Sequence, residues 1–117
     1  MSKKIIVFGA TGTLGTHIAI NLQRKGYQIY AVGHRKSDNG FFSDYNIPYY
    51  SLNIENIEQF DQLPQSDIST VLHFAGALPA TMEGYAPHKY IDSIVKGTLN
   101  VLEYTRKCGA TKIIFPQ

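Results

Sequence analysis

Cysteine, charge and long apolar runs are all scarce in this chain. Cys108 is the only cysteine, so no internal disulfide can form and a reducing cytoplasm is the expected setting. Charged residues make up 17% of the 117 residues and leave a formal net charge of +2. They are scattered, which gives neither nucleic acid nor a membrane surface an electrostatic reason to bind. No apolar run is long enough to cross a bilayer. The run after Lys3-Lys4 breaks at Gly9, too short for the apolar part of a signal peptide and suited instead to a first strand. His17, His34, His73 and His88 lack metal-ligand spacing, so no metal is expected. Repeats and low-complexity tracts are missing too, and a hydrophobic content of 44% is ordinary for a globular protein. The length suits one domain over residues 1–117, with a single core.

Against this background one glycine run stands out, Gly9-Ala10-Thr11-Gly12-Thr13-Leu14-Gly15. It follows the apolar segment Ile5-Ile6-Val7-Phe8 and leads into the helical pattern His17-Ile18-Ala19-Ile20-Asn21-Leu22. Strand, glycine turn and helix in that order hold a pyrophosphate, because the first helical amides and the helix dipole favour an anion. Gly9 permits the sharp turn out of the strand. Gly12 lets the backbone come close to phosphate, and Gly15 lies on the helix face that packs against the sheet, where a side chain would hold the two apart. A glycine turn that binds nothing is the alternative, weakened by the strand before it and the helix after it.

The rest of the chain repeats the alternation. Strands are expected over 4–8, 27–32, 49–52, 69–75 and 112–115, and helices over 13–25, 53–63 and 88–107. Thr11 or Thr13 is a candidate cap for the first helix, which closes on Arg24-Lys25-Gly26. Residues 37–40 form a turn-rich loop, 41–45 a turn of helix, and 76–87 a loop holding Pro79 and Pro87. In the last helix Ile91, Ile94, Val95, Leu99, Leu102 and also Val101 are available for burial. Its end, Arg106-Lys107-Cys108-Gly109, repeats the first, and Cys108 reads as a plain thiol at a helix terminus. Such alternation predicts an α/β fold, a doubly wound parallel sheet of about five strands in order 3-2-1-4-5. A nucleotide site then lies where the winding reverses, at the carboxyl ends of strands one and four.

The glycine spacing is G-x-x-G-x-x-G, and Thr11-Gly12-Thr13-Leu14-Gly15 resembles the T-G-x-x-G-x-x-G of the extended short-chain dehydrogenases/reductases, the NAD-dependent epimerase/dehydratase group. Val71-Leu72-His73-Phe74-Ala75-Gly76 is similar to that family's V-I-H-L-A-A strand. Asn53-Ile54 stands where the family has Asp followed by Leu or Ile. Tyr90-Ile91-Asp92-Ser93-Ile94-Val95-Lys96-Gly97-Thr98-Leu99-Asn100 resembles its Y-x-D-x-N-V-x-G-T-x-N helix. The resemblance covers essentially the whole chain and implies a Rossmann-like cofactor domain. It implies that Ala10 to Leu14 hold the pyrophosphate, that Asn53 and Ile54 approach the adenine, and that Ala75, Gly76 and Ala77 line the ribose side. Asn53 is equally a candidate helix N-cap, and the two roles are compatible. His73 reads as a structural residue of the strand.

The kind of dinucleotide follows from the end of the second strand. An NAD site usually carries an acidic residue there, about 20 residues past the glycines. Here Gly33-His34-Arg35-Lys36 offers no carboxylate before Asp38. An arginine fork suits a 2′-phosphate, so NADP is expected over NAD, with Arg35 on the phosphate. His34 is a candidate to stack on or bond near the adenosine phosphate, though it reads first as an exposed turn histidine. A solvated basic turn is the alternative.

The resembled family does its chemistry with a Ser or Thr just after the fifth strand and a Tyr-x-x-x-Lys on the next helix. Here Ile113-Ile114-Phe115 is followed by Pro116 and Gln117, so the chain is expected to stop just short of the catalytic hydroxyl, without a substrate lobe. Tyr85-Ala86-Pro87-His88-Lys89 has the spacing but precedes the last helix, and Pro87 argues against the turn that would pair its ends. Ile94 stands where the family usually has Asn. The expected function is therefore the NAD(P)-binding portion of an extended short-chain dehydrogenase/reductase, with no catalytic residues of its own. The parent would act as a nucleotide-sugar epimerase, dehydratase or reductase. A non-catalytic NADP-binding sensor is the alternative. A third reading is a truncated fold with no ligand at all, its unpaired Ile113–Phe115 edge prone to association.

Overall fold

The computed structural model describes residues 3–75 and 87–115. The elements are β1 (Lys4–Phe8), α1 (Thr13–Arg24), β2 (Gln28–Gly33), a 3-10 turn (Ser43–Tyr45), β3 (Tyr49–Ser51), a 3-10 helix (Ile57–Gln62), β4 (Thr70–His73), α2 (Pro87–Lys107) and β5 (Lys112–Ile114). All strand pairs are parallel and the order is β3-β2-β1-β4-β5, as the alternation predicts. Phe8 pairs in register with Val32 on one side and His73 on the other. The ends of β1, β2 and β4 therefore lie level, and the loops leaving them meet.

Side chains alternate across β1 and divide the core in two. Ile6 and Phe8 point to one face and pack with Phe60, Leu63, Val71, Val101 and Tyr104. Ile5 and Val7 point to the other and pack with Ala19, Ile29, Phe42, Ile47 and Leu72. Such a strand reads as a continuous apolar run because neither face meets water.

Four local expectations are corrected. Neither Thr11 nor Thr13 caps α1: Gly12 is the N-cap and makes no side-chain bond. The hydroxyl that is used belongs to Thr16, which donates to the Ala10 carbonyl at 2.6 Å. The helix expected over 53–63 is only the 3-10 helix Ile57–Gln62. Asn53 Oδ1 accepts from the Glu55 amide at 3.0 Å and Asn56 Oδ1 from the Glu58 amide at 3.2 Å. These local bonds replace helical ones and delay the start. Asn56, not Asn53, is thus the cap.

The third correction concerns α2. Val95, Leu99 and Leu102 are 53%, 60% and 39% exposed. The buried stripe is Gly97, Val101, Tyr104 and Cys108, at the same helical spacing, with Ile94 half-buried above it. The Ile91 side chain lies outside the described residues. Gly97 belongs to the packed stripe by shape, since a Cβ there would run into Ile54 Cδ1 in the loop after β3. Last, several strand ends move by one or two residues: β2 runs to Gly33, β4 stops at His73 and β5 at Ile114.

Candidate functional site

A cavity of about 380 Å³ opens at the carboxyl ends of β1, β2 and β4, the switch point of the winding. Its floor is the glycine turn. Gly9 has φ of +81°, and a Cβ on it would lie 2.6 Å from the main chain of Phe74 and Ala75. Its amide and that of Ala10 donate to the Val32 carbonyl at 2.9 and 3.0 Å, pinning the turn to β2. Gly15 is buried against the Gly9 carbonyl and Ala10 Cα, with no room for a side chain. Its close approach is therefore to the turn itself more than to the sheet. Gly12 differs: a Cβ would meet nothing nearer than the Gly9 carbonyl at 3.5 Å, so its front is open to the cavity. The amides that begin α1 have no preceding helical carbonyl, and the first turn carries no acidic residue to compete for them. Bare amides, an open approach and the positive end of a helix dipole make an anion seat.

Of the residues singled out from sequence, Gly9, Thr11, Gly12, His34, Asn53, Ile54 and Ala75 line the cavity. Ala10 is wholly buried behind the turn, while Thr13 and Leu14 are exposed on α1 and do not line it. Arg35 is exposed and stands outside the lining; its carbonyl accepts the Tyr49 hydroxyl at 2.6 Å. Gly76, Ala77 and Tyr85 lie outside the described residues. Gly33, Glu55, Phe74 and Ile94 also line the cavity. The first three are chain neighbours of His34, Ile54 and Ala75, and that adjacency was the available signal.

The wall of Asn53 and Ile54 is held from α2. Ile54 packs on Gly97, and Asn100 Nδ2 donates to the Ile54 carbonyl at 2.8 Å. Gln59 Oε1 accepts from the Asn53 amide at 2.7 Å. With Asn53 Oδ1 engaged by Glu55, its Nδ2 is the group left to face a ligand. Thr98, between Gly97 and Asn100, shares a 3.3 Å hydrogen bond with His73 Nε2. The Gly97-Thr98-Leu99-Asn100 segment thus joins α2 to the loop after β3 and to β4.

His73 itself is structural in its surroundings. It is 4% exposed, edge-on to Phe8 and Phe115, and its Nδ1 is buried with no hydrogen-bond partner among the described residues. Burial holds the imidazole below the usual histidine range, so it is neutral. Cys108 is also buried, donates weakly to the Thr105 carbonyl at 3.6 Å, and has its thiol pushed up by burial. A thiol so placed is inert at neutral pH.

Fold and site together define a doubly wound Rossmann domain with its ligand cavity at the switch point. The sequence matches the family model described as "NAD dependent epimerase/dehydratase family" over residues 5–117, and the chain belongs to that family. It is 32% identical over 122 residues to a UDP-glucose 4-epimerase of Neisseria meningitidis serogroup C, covering 97% of this chain and 36% of that protein. With the UDP-glucose 4-epimerase of Bacillus subtilis it shares 28% identity, covering 95% of this chain and 35% of the relative. Among solved structures, the UDP-glucose 4-epimerase of Bifidobacterium longum in complex with NAD+ and UDP superposes with a TM-score of 0.82 at 27% identity. That match covers 98% of this chain and 37% of the other. The chain therefore spans a little over a third of the length of these relatives.

Proposed function

We propose that the chain is the NAD(P)-binding portion of an extended short-chain dehydrogenase/reductase that prefers NADP. The observation that carries this reading is the cavity itself, floored by an amide-rich glycine turn and walled by Asn53, Ile54 and Ala75. The contrast between Gly9 and Gly15, which a Cβ would jam, and Gly12, which faces open space, fits a backbone shaped for close approach by phosphate. The pyrophosphate would rest on the turn from Gly9 to Leu14, with Thr13 and Leu14 contributing main-chain amides. Adenine would lie along Asn53 and Ile54, and ribose toward Ala75 to Ala77. The nicotinamide, when bound, supplies hydride transfer.

The 2′ end of the adenosine ribose would meet the turn after β2. That strand ends at Gly33 with His34 on the cavity wall and Arg35 beside it. Among the described residues the one carboxylate on the wall is Glu55, on the adenine side beyond Ile54. A strand end that offers Arg35 and no carboxylate before Asp38 favours a 2′-phosphate over a 2′-hydroxyl. The B. longum epimerase structure contains NAD+, so the strand end is where this chain would diverge. Titration with NADP+ and NAD+ decides the matter. NADP+ should bind at least tenfold tighter, and Arg35→Ala should weaken it selectively; equal affinity, or tighter NAD+, refutes the preference.

For the whole protein we infer epimerisation, dehydration or reduction of a nucleotide-linked sugar, in the cytoplasm. The 117-residue chain alone should turn nothing over. One observation favours a second reading, a non-catalytic NADP-binding sensor: Ile94 puts an aliphatic side chain on the cavity wall, which relays no proton. A hydroxyl residue followed by Tyr-x-x-x-Lys in the gene beyond Gln117 selects the enzyme. Turnover by the chain alone would contradict both.

A further inference from the structure

Gly33, which ends β2, lies outside the left-handed φ region, so its backbone does not demand glycine. Space does. A Cβ there would sit 2.6 Å from Thr11 Cγ2, 3.0 Å from Thr11 Oγ1 and 2.7 Å from the Tyr49 hydroxyl. The glycine turn and β3 thus meet over the end of β2. The side-chain ends of Thr11 and Tyr49 crowd the place a Cβ would take at this position, where an acidic side chain would otherwise stand near the ribose.

Tyr49 is fixed in that place from two sides, and the ring it stacks on is itself held. Its hydroxyl donates to the Arg35 carbonyl at 2.6 Å. Its ring stacks on Phe42, with centroids 5.8 Å apart and planes 7° from parallel. Phe42 is 2% exposed, and its amide donates to Asp38 Oδ2 at 2.8 Å. Burial and then the Asp38 carboxylate push the phenol up, against a smaller opposing pull from Arg35. The hydroxyl therefore stays protonated near neutral pH and remains a donor.

We propose that Tyr49 is a positioning residue for cofactor choice, anchoring the Arg35 main chain at the 2′ end of the ribose. Arg35 is exposed, on a long side chain that reaches a 2′-phosphate only from a held backbone. Without the Tyr49 bond the turn gains freedom, and the guanidinium spends less time where the phosphate lies. The inference rests on the NADP reading above.

The test uses the intact protein, with NADP+ and NAD+ affinities measured by calorimetric titration for wild type, Tyr49→Phe, Arg35→Ala and the double variant. Tyr49→Phe keeps the ring and its stacking on Phe42 and removes only the hydroxyl. We expect NADP+ to bind about three- to tenfold more weakly, the range a single hydrogen bond supplies, with NAD+ unchanged within about twofold. In the Arg35→Ala background Tyr49→Phe should add nothing, because the hydroxyl works through that arginine. A wild-type protein that does not prefer NADP+ overturns the cofactor reading and this proposal with it. A preference that Tyr49→Phe leaves intact, an equal loss for both cofactors, or an additive double variant overturns the role of Tyr49 alone.

Discussion

Asn100 of α2 holds the main chain of Ile54, its Nδ2 lying 2.8 Å from the Ile54 carbonyl across 46 residues of sequence. The loop expected to receive adenine is thus tied to the helix that follows β4 in the chain. Asn100→Ala removes the donor and leaves a half-buried carbonyl unpaired. We expect a loss of about 1 kcal/mol in urea unfolding and a several-fold weaker affinity for either cofactor. Unchanged cofactor affinity would separate the loop from the site.

Gly97 makes the same junction by shape. A Cβ would strike Ile54 Cδ1 and lie 2.7 Å from Ile54 Cγ1. Gly97→Ala should destabilise by about 1–3 kcal/mol through overpacking. Ile54→Ala in the same chain should recover part of that loss by clearing the space. Additive losses in the double variant would show that the clash lies elsewhere.

Gly9 is less forgiving, since its neighbours are main-chain atoms of Phe74 and Ala75, which do not rotate away. Its φ of +81° adds the penalty a side chain incurs in that region. Gly9→Ala should therefore lose about 3 kcal/mol or more, read as a fall in the thermal midpoint or as insoluble expression. By contrast Gly12→Ala should melt within about 1 kcal/mol of wild type yet bind dinucleotide poorly. Normal binding by Gly12→Ala would count against phosphate lying at that turn.

His73 gives the fold a pH dependence of known sign. Burial lowers its folded pKa below the 6.5 of the free side chain, so the unfolded chain binds the extra proton more readily. The stability is present above pH 6.5 and drains away as pH falls from there through the folded pKa. Urea midpoints at pH 7.5, 6.5 and 5.5 should fall more steeply in wild type than in His73→Leu. Parallel curves for the two proteins would assign the acid sensitivity to other groups.

Much of this was legible because the signals were local. β1 is a short apolar run bounded by Gly9, and the turn at Gly9 follows from strand-turn-helix order. Gly26 and Gly109 end their helices with φ of +100° and +78°, as glycine after a basic pair suggests. Less was legible where distant segments choose. Two apolar stripes of α2 have the same period, and contacts with distant segments, such as that of Gly97 with Ile54, show which faces inward. At Asn53 and Asn56 two good caps stand three residues apart, and side-chain bonds to Glu55 and Glu58 settle the helix start. Tyr49 lies 14 residues from Arg35, and nothing in a strand tyrosine announces such a partner.

The burial of Cys108 has a practical side. The chain's one native thiol is 3% exposed and poorly ionised, so a cysteine placed at the surface would be the site that maleimides find. Leu99, 60% exposed and sitting between Gly97 and Asn100, is well suited to carry it. A dye there would ride on the helix that grips Ile54 and report dinucleotide binding by its emission, without a second substitution to silence the background.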